Sequence, residues 1–112
     1  MYARNYRDSA LRTIRLESEA VAAMSCQIDS SFDAACEIFM SCSGRVVVIG
    51  MGKSGHVANK VAATLASTGT PAFFVHPGEA SHGDLGMITE NDVVLSISSS
   101  GATLEIVALL PL

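Results

Sequence analysis

Apolar positions along this chain change period twice. From Arg4 to Ile28 they recur at helical spacing through Tyr6, Ala10, Ile14, Val21 and Met24, which predicts one long amphipathic helix whose stripe needs a partner. Asp29 or Ser30 is placed to cap a second helix running to about Cys42, with Phe32, Ala35, Cys36 and Phe39 on its inner side and Gly44 as its stop. The period then vanishes: Val46, Val47, Val48 and Ile49 form an unbroken apolar run, the mark of a parallel strand covered on both faces. The remainder reads as strand Arg45–Ile49, helix His56–Ser67, strand Ala72–Val75, polar loop Pro77–Gly83, a short turn near Asp84–Met87, strand Val93–Ile97, loop Ser98–Gly101 and helix Thr103–Leu110. Strands alternating with helices imply an α/β fold, a doubly wound parallel sheet in three layers, preceded by two helices. Three strands are few for a covered parallel sheet. The expectation is therefore a single partial domain, with residues 1–43 as leading helices and 44–112 as the first part of the α/β core.

Composition narrows the function. At 112 residues and 49% hydrophobic the chain holds one globular domain rather than a disordered segment. A formal net charge of −4 argues against a nucleic-acid partner. Arg4, Arg7, Arg12 and Arg15 crowd the first helix, where Asp8 with Arg12 and Arg15 with Glu19 stand at pairing distance in sequence, so a solvated helix face accounts for them. Cys26, Cys36 and Cys42 form no CxxC pair and fit free thiols in a reducing compartment. The first residues contain no apolar signal core and no stretch is long enough for a bilayer, giving the expectation of a cytoplasmic protein with no membrane partner.

The chemistry gathers in two loops. After the first strand, Gly50, Gly52 and Gly55 surround Lys53 and Ser54. Glycines there permit positive φ and close backbone approach, and the N–H groups opening the next helix attract an anion. A Walker A loop would need glycine five positions before Gly52, where Val47 stands. The literal GxGxxG does match a dinucleotide fingerprint, but the acidic residue expected after the second strand is missing: no Asp or Glu lies between Glu37 and Glu79. A dinucleotide enzyme stays as the lesser alternative. After the third strand, Ser98, Ser99, Ser100 and Gly101 lead to a helix opened by Thr103, offering hydroxyl donors in place of a lysine. Both loops fall at the carboxyl ends of parallel strands, where ligands bind, and together they can surround one phosphate. His82, with Glu79 and Asp84 close in sequence, has the residue types to bind a divalent metal or to touch ligand hydroxyls, but a loop histidine bonded to backbone accounts for it as well as a metal does; no metal is assigned to it or to His56 and His76.

The segments GMGKSGHVANKVAATLASTGTPAFFVHPGEASHGDLGMITENDVV and SISSSGATLEI resemble the sugar isomerase (SIS) domain family, and within it the arabinose-5-phosphate isomerases. The resemblance implies a flavodoxin-like strand order with the first strand central, a reversible aldose–ketose isomerisation of D-arabinose 5-phosphate and D-ribulose 5-phosphate on the path to Kdo in lipopolysaccharide or capsule, and no nicotinamide or other cofactor. It implies a pentose phosphate held by Ser98, Ser99, Ser100, Gly101 and Thr103, with Gly52, Ser54 and His82 completing the substrate site, and catalysis by Lys53 and Glu105. Ala102 departs from the glutamate that many members carry there. Full-length members place a second catalytic glutamate and a histidine further along, so the resemblance implies weak or absent turnover for residues 1–112 alone, and self-association of SIS domains. A non-catalytic sugar-phosphate-binding module is the other reading of the same motifs.

Overall fold

The computed structural model describes residues 4–80 and 83–111 and divides into two compact units, Met1–Cys36 and Glu37–Leu112. In the first, helix α1 spans Tyr6–Ala23. Asn5 caps it, its Oδ1 accepting the Asp8 N–H at 3.0 Å. The helix does not run unbroken to Ile28 as the periodicity predicts, but tightens into a 3₁₀ turn at Met24–Gln27. Side-chain competition explains the break: Ser25 Oγ donates to the Ala22 carbonyl at 2.8 Å and Cys26 Sγ to the Ala23 carbonyl at 2.9 Å. No residue of α1 is buried, and Ile14 is 62% and Val21 66% exposed. Helix α2, Ser30–Met40, opens at Asp29, whose Oδ1 accepts the Ser31 N–H at 2.9 Å. Its expected inner side shrinks to Phe39, since Phe32, Ala35 and Cys36 are exposed.

The second unit is the α/β core. Strand β1 (Val46–Gly50) is buried throughout and lies between β2 (Ala72–Val75) and β3 (Val93–Ile97), all parallel, in the order β2-β1-β3. Val46 stands level with Ala72 on one side and Val93 on the other. The central position explains the unbroken apolar run. Val46 and Val48 face Ala58 and Ala62 of helix α3 (Gly52–Ser67), with Phe39, Leu95 and Ile97 alongside. Val47 and Ile49 face the other way, onto Val75, Ala80 and Ile106, with Leu85 and Leu109 alongside. Each fully buried valine contributes roughly 1.5–3 kcal/mol.

Strand β1 is shifted by one residue from the expected Arg45–Ile49, and three further segments differ from the sequence expectation. Helix α3 starts at Gly52 rather than His56, placing Lys53 and Ser54 inside its first turn. The loop Pro77–Gly83 contains a helical turn, α4 (Pro77–Ala80), because proline at the first helical position is already set in φ. Helix α5 is only Leu104–Val107. Beyond it the chain tightens, with Leu109 N–H donating to Ile106 and Leu110 N–H to Val107 carbonyls at 3.0 and 3.2 Å, since Pro111 has no N–H to extend the ladder and disfavours α geometry before it. Among the described residues no helix is long and apolar enough to cross a membrane.

Candidate functional site

Parallel strands place the loops that follow β1, β2 and β3 at one edge of the sheet, with the β1 loop in the middle. The β1 loop is built around three glycines with different tasks. Gly52 sits at φ +57, where an L side chain is strained, yet a Cβ there would touch nothing; the demand is conformational. Gly50 and Gly55 are needed for closeness. A Cβ on Gly50 would lie 2.6 Å from the Ser54 carbonyl oxygen, and one on Gly55 would lie 2.7 Å from the Gly50 carbonyl oxygen. The strand end and helix start therefore pack backbone to backbone, and Met51, extended at φ −114 and ψ 150, accepts the Gly55 N–H at 3.1 Å. Lys53 is exposed and Ser54 half-buried in this first turn.

Gly52 and Gly55 also line a cleft of about 350 Å³ with His56, Asn59, Phe74 and His76. Sequence reasoning gives His56, Asn59 and His76 no shared place; the parallel pairing of β1 with β2 is what brings His76, after the end of β2, to the start of α3, where His56 and Asn59 stand three residues apart on one face.

The β3 loop is tied to itself by its hydroxyls. Ser98 Oγ and Thr103 Oγ1 are 2.8 Å apart, and Ser98 Oγ accepts the Gly101 N–H at 3.1 Å. Ser100 Oγ accepts the Ala102 N–H at 3.1 Å, an ST turn. Gly101 occupies φ +69, a second conformation that favours glycine. Whichever hydroxyl of the Ser98–Thr103 pair donates to the other, one hydroxyl hydrogen is left to point elsewhere. Ser98, Gly101 and Thr103 line one groove of about 230 Å³ with Ser96, Ile106, Val107 and Leu110. Ser99 and Ser100 are exposed beside it.

Glu105 belongs to neither place. It is exposed on α5 and lines a separate cleft of about 430 Å³, with Pro77 and Gly78 of α4 as well as Leu85, Leu104, Ala108 and Leu109. The structure thus groups Ser98, Gly101 and Thr103, and keeps Lys53 and Glu105 out of that groove. His82 lies outside the described residues.

The SIS domain model matches residues 39–112, most of the chain and all three strands. The chain belongs to the SIS domain family. SIS relatives agree along the leading helices as well. An arabinose 5-phosphate isomerase KdsD of Pseudomonas aeruginosa is 65% identical over 104 residues, covering 93% of this chain and 32% of its own length. The KdsD of Escherichia coli K12 is 53% identical over 107 residues, covering 96% of this chain and 33% of its own length. This SIS chain therefore spans about a third of the length of the curated relatives it matches. A solved protein of E. coli CFT073, in complex with arabinose 5-phosphate, superposes with a TM-score of 0.81 at 49% identity, covering 96% of this chain and 59% of that one.

Proposed function

We propose that this chain is the sugar-phosphate-binding part of an aldose–ketose isomerase acting on D-arabinose 5-phosphate and D-ribulose 5-phosphate, without a metal or nicotinamide, in the supply of arabinose 5-phosphate for Kdo. The observation that carries this is the Ser98–Thr103 hydroxyl pair, braced by Gly101, in a chain 49% identical to a protein solved with arabinose 5-phosphate. The pair offers the phosphate its spare hydrogen, and exposed Ser99 and Ser100 add further hydroxyls. Hydrogen bonds to a charged group are worth about 1.5–3 kcal/mol each.

The reaction moves one proton from C2 of the aldose to C1 and one hydroxyl proton from O2 to O1, through an enediolate. It needs a base for carbon and a positive or donating partner for oxygen. Glu105 and Lys53, the latter from the first turn of α3 beside Gly52 and Ser54, are the groups for these roles, with His82 on the sugar hydroxyls. A reading as a non-catalytic sugar-phosphate module is favoured by one observation: Glu105 lines a different cleft from the hydroxyl loop.

Titration calorimetry with arabinose 5-phosphate and with NAD, beside a coupled isomerase assay, separates these readings. Heat with the sugar phosphate alone, and turnover lost in Lys53→Ala, supports the isomerase. Because the resemblance implies weak or absent turnover for residues 1–112 alone, Lys53→Ala decides where turnover is absent: heat that it weakens keeps the isomerase reading, and heat that it leaves unchanged leaves the binding module. Tighter binding of NAD overturns both.

A further inference from the structure

The turn after β2 is held by the histidine that precedes it. His76 Nδ1 accepts the Gly78 backbone N–H at 3.0 Å, and the His76 carbonyl accepts the Ala80 N–H at 2.9 Å. An accepting nitrogen carries no proton, so the neutral ring is the Nε2–H tautomer. The ring also rests on bare Cα: a Cβ on Gly78 would lie 3.1 Å from Nδ1 and 3.2 Å from Cε1. Helix α4 is four residues long, too short for helix propagation to hold it. Pro77 and Ala80, both buried, anchor its ends, and the imidazole fixes Gly78 between them.

Pro77 and Gly78 are one wall of the cleft that contains Glu105. We propose that His76 is a positioning residue: by fixing the α4 turn through Gly78 it sets the wall against which the Glu105 carboxylate is placed. In this role the imidazole acts on Glu105 through the backbone of α4. The consequence for turnover rests on the isomerase reading above, whereas the geometry does not.

The test uses the whole chain in three variants. His76→Phe keeps a ring and removes the acceptor. His76→Asn restores an acceptor that reaches the N–H two residues on, as in an Asx turn. Gly78→Ala pushes the ring away from the other side. Nitrogen-15 NMR of His76 reports the tautomer, the Gly78 amide proton shift reports the hydrogen bond, and the carbon-13 shift of the Glu105 carboxyl reports its surroundings; none requires activity. The expected result is the Nε2–H tautomer in the unaltered chain, a Glu105 carboxyl shift moved in the same direction by His76→Phe and Gly78→Ala, and its return in His76→Asn. In the isomerase assay the first two variants lower kcat about three- to tenfold, the scale of one neutral hydrogen bond. KM changes less than about twofold, because the phosphate loop is untouched, and His76→Asn stays near the unaltered rate. Should His76→Phe fail to melt cooperatively, His76→Asn and Gly78→Ala carry the comparison. An Nδ1–H tautomer, or a Glu105 carboxyl shift unmoved in folded His76→Phe and Gly78→Ala, overturns the proposal. If the NMR signatures hold while arabinose 5-phosphate is neither bound nor converted, the positioning stands and the isomerase reading fails.

Discussion

Asp92 accepts the backbone N–H of Arg45 through Oδ1 at 2.7 Å, joining the residue before β3 to the residue before β1. Its other oxygen accepts the Thr89 N–H at 2.7 Å. The Arg45 guanidinium stands 4.0 Å from the same oxygen, donates to the Met87 carbonyl at 2.8 Å and lies 4.4 Å above the Phe73 ring. One carboxylate thereby sets the start of the central strand, the edge strand and the turn between them.

Acid should loosen that start. The N–H groups of Thr89 and then Arg45 hold the Asp92 carboxyl below its ordinary value of 3.8. A carboxyl depressed on folding contributes stability that is present above the unfolded value and is lost as pH falls through the folded one. Asp29, depressed chiefly by the Ser31 hydroxyl, acts with the same sign. Thermal melts between about pH 7 and pH 2 should show an acid decline that is shallower in Asp92→Asn. An identical decline in the two chains contradicts the assignment.

Gly44 should be intolerant of a methyl group although its backbone is ordinary. A Cβ there would lie 2.5 Å from the Asn91 carbonyl oxygen and against Asp92 Oδ1, and its N–H already donates to that Asn91 carbonyl at 2.9 Å. Neither neighbour is a flexible tip. Gly44→Ala is expected to destabilise by about 1–3 kcal/mol in urea unfolding. Gly86→Ala, where a Cβ meets nothing, should stay within about 0.5 kcal/mol. Equal effects in the two variants would mean that crowding is not what Gly44 relieves.

Gly44 also illustrates what the sequence tells. Its expected part as a helix stop fails, because α2 already ends at Met40 and Gly44 is not at positive φ; its crowding against Asn91 and Asp92, 47 and 48 positions on, depends on the tertiary pairing of β1 with β3. The strands were legible because Val46 to Ile49 are apolar on both faces, and the two polar loops because Gly52 and Gly101 meet demands that glycine alone meets cheaply. The start of α3 was not, since its first turn is Gly-Lys-Ser-Gly, poor in helix propensity and settled by the packing of Gly50 on Gly55. The separation of Glu105 from Ser98 was hidden for a similar reason: the turn Pro77–Ala80, read as polar loop, folds under α5 and takes Glu105 into its own cleft.

The hydroxyl pair should behave as one unit toward a phosphate. Ser98→Ala and Thr103→Val are each expected to weaken arabinose 5-phosphate binding about tenfold or more, with the double variant losing less than the product of the two, because Ser98 and Thr103 share one hydrogen bond. Gly101→Ala strains a residue at φ +69 by about 1–2 kcal/mol and should weaken binding as well. Calorimetry on folded variants gives the three affinities. Strictly multiplicative losses would show that the two hydroxyls act separately.

The outer edge of β3 should draw copies of this chain together. β3 pairs with β1 on one side, and on the other no strand is described. Leu95 and Ile97 point into the core beside Val48, but Val94, 45% exposed, and Ser96 face an open apolar groove shared with Leu85, Ile88, Leu109 and Leu110. Edge strands are normally guarded by a charge or a proline. Asp92 is the charge nearest this edge, and it is already engaged: both its oxygens accept backbone N–H groups and its side chain is 2% exposed. Within the described residues taken alone this edge is unguarded beside an apolar groove, and as such it should pair with a second chain. Light scattering at micromolar concentration is expected to give a mass above the monomer that rises with concentration, and Val94→Lys, which sets a charge into the groove beside that edge, should bring the mass down while leaving the core residues Val46 to Val48 untouched. A monodisperse monomer, or a mass unaltered by Val94→Lys, would remove the edge as the cause.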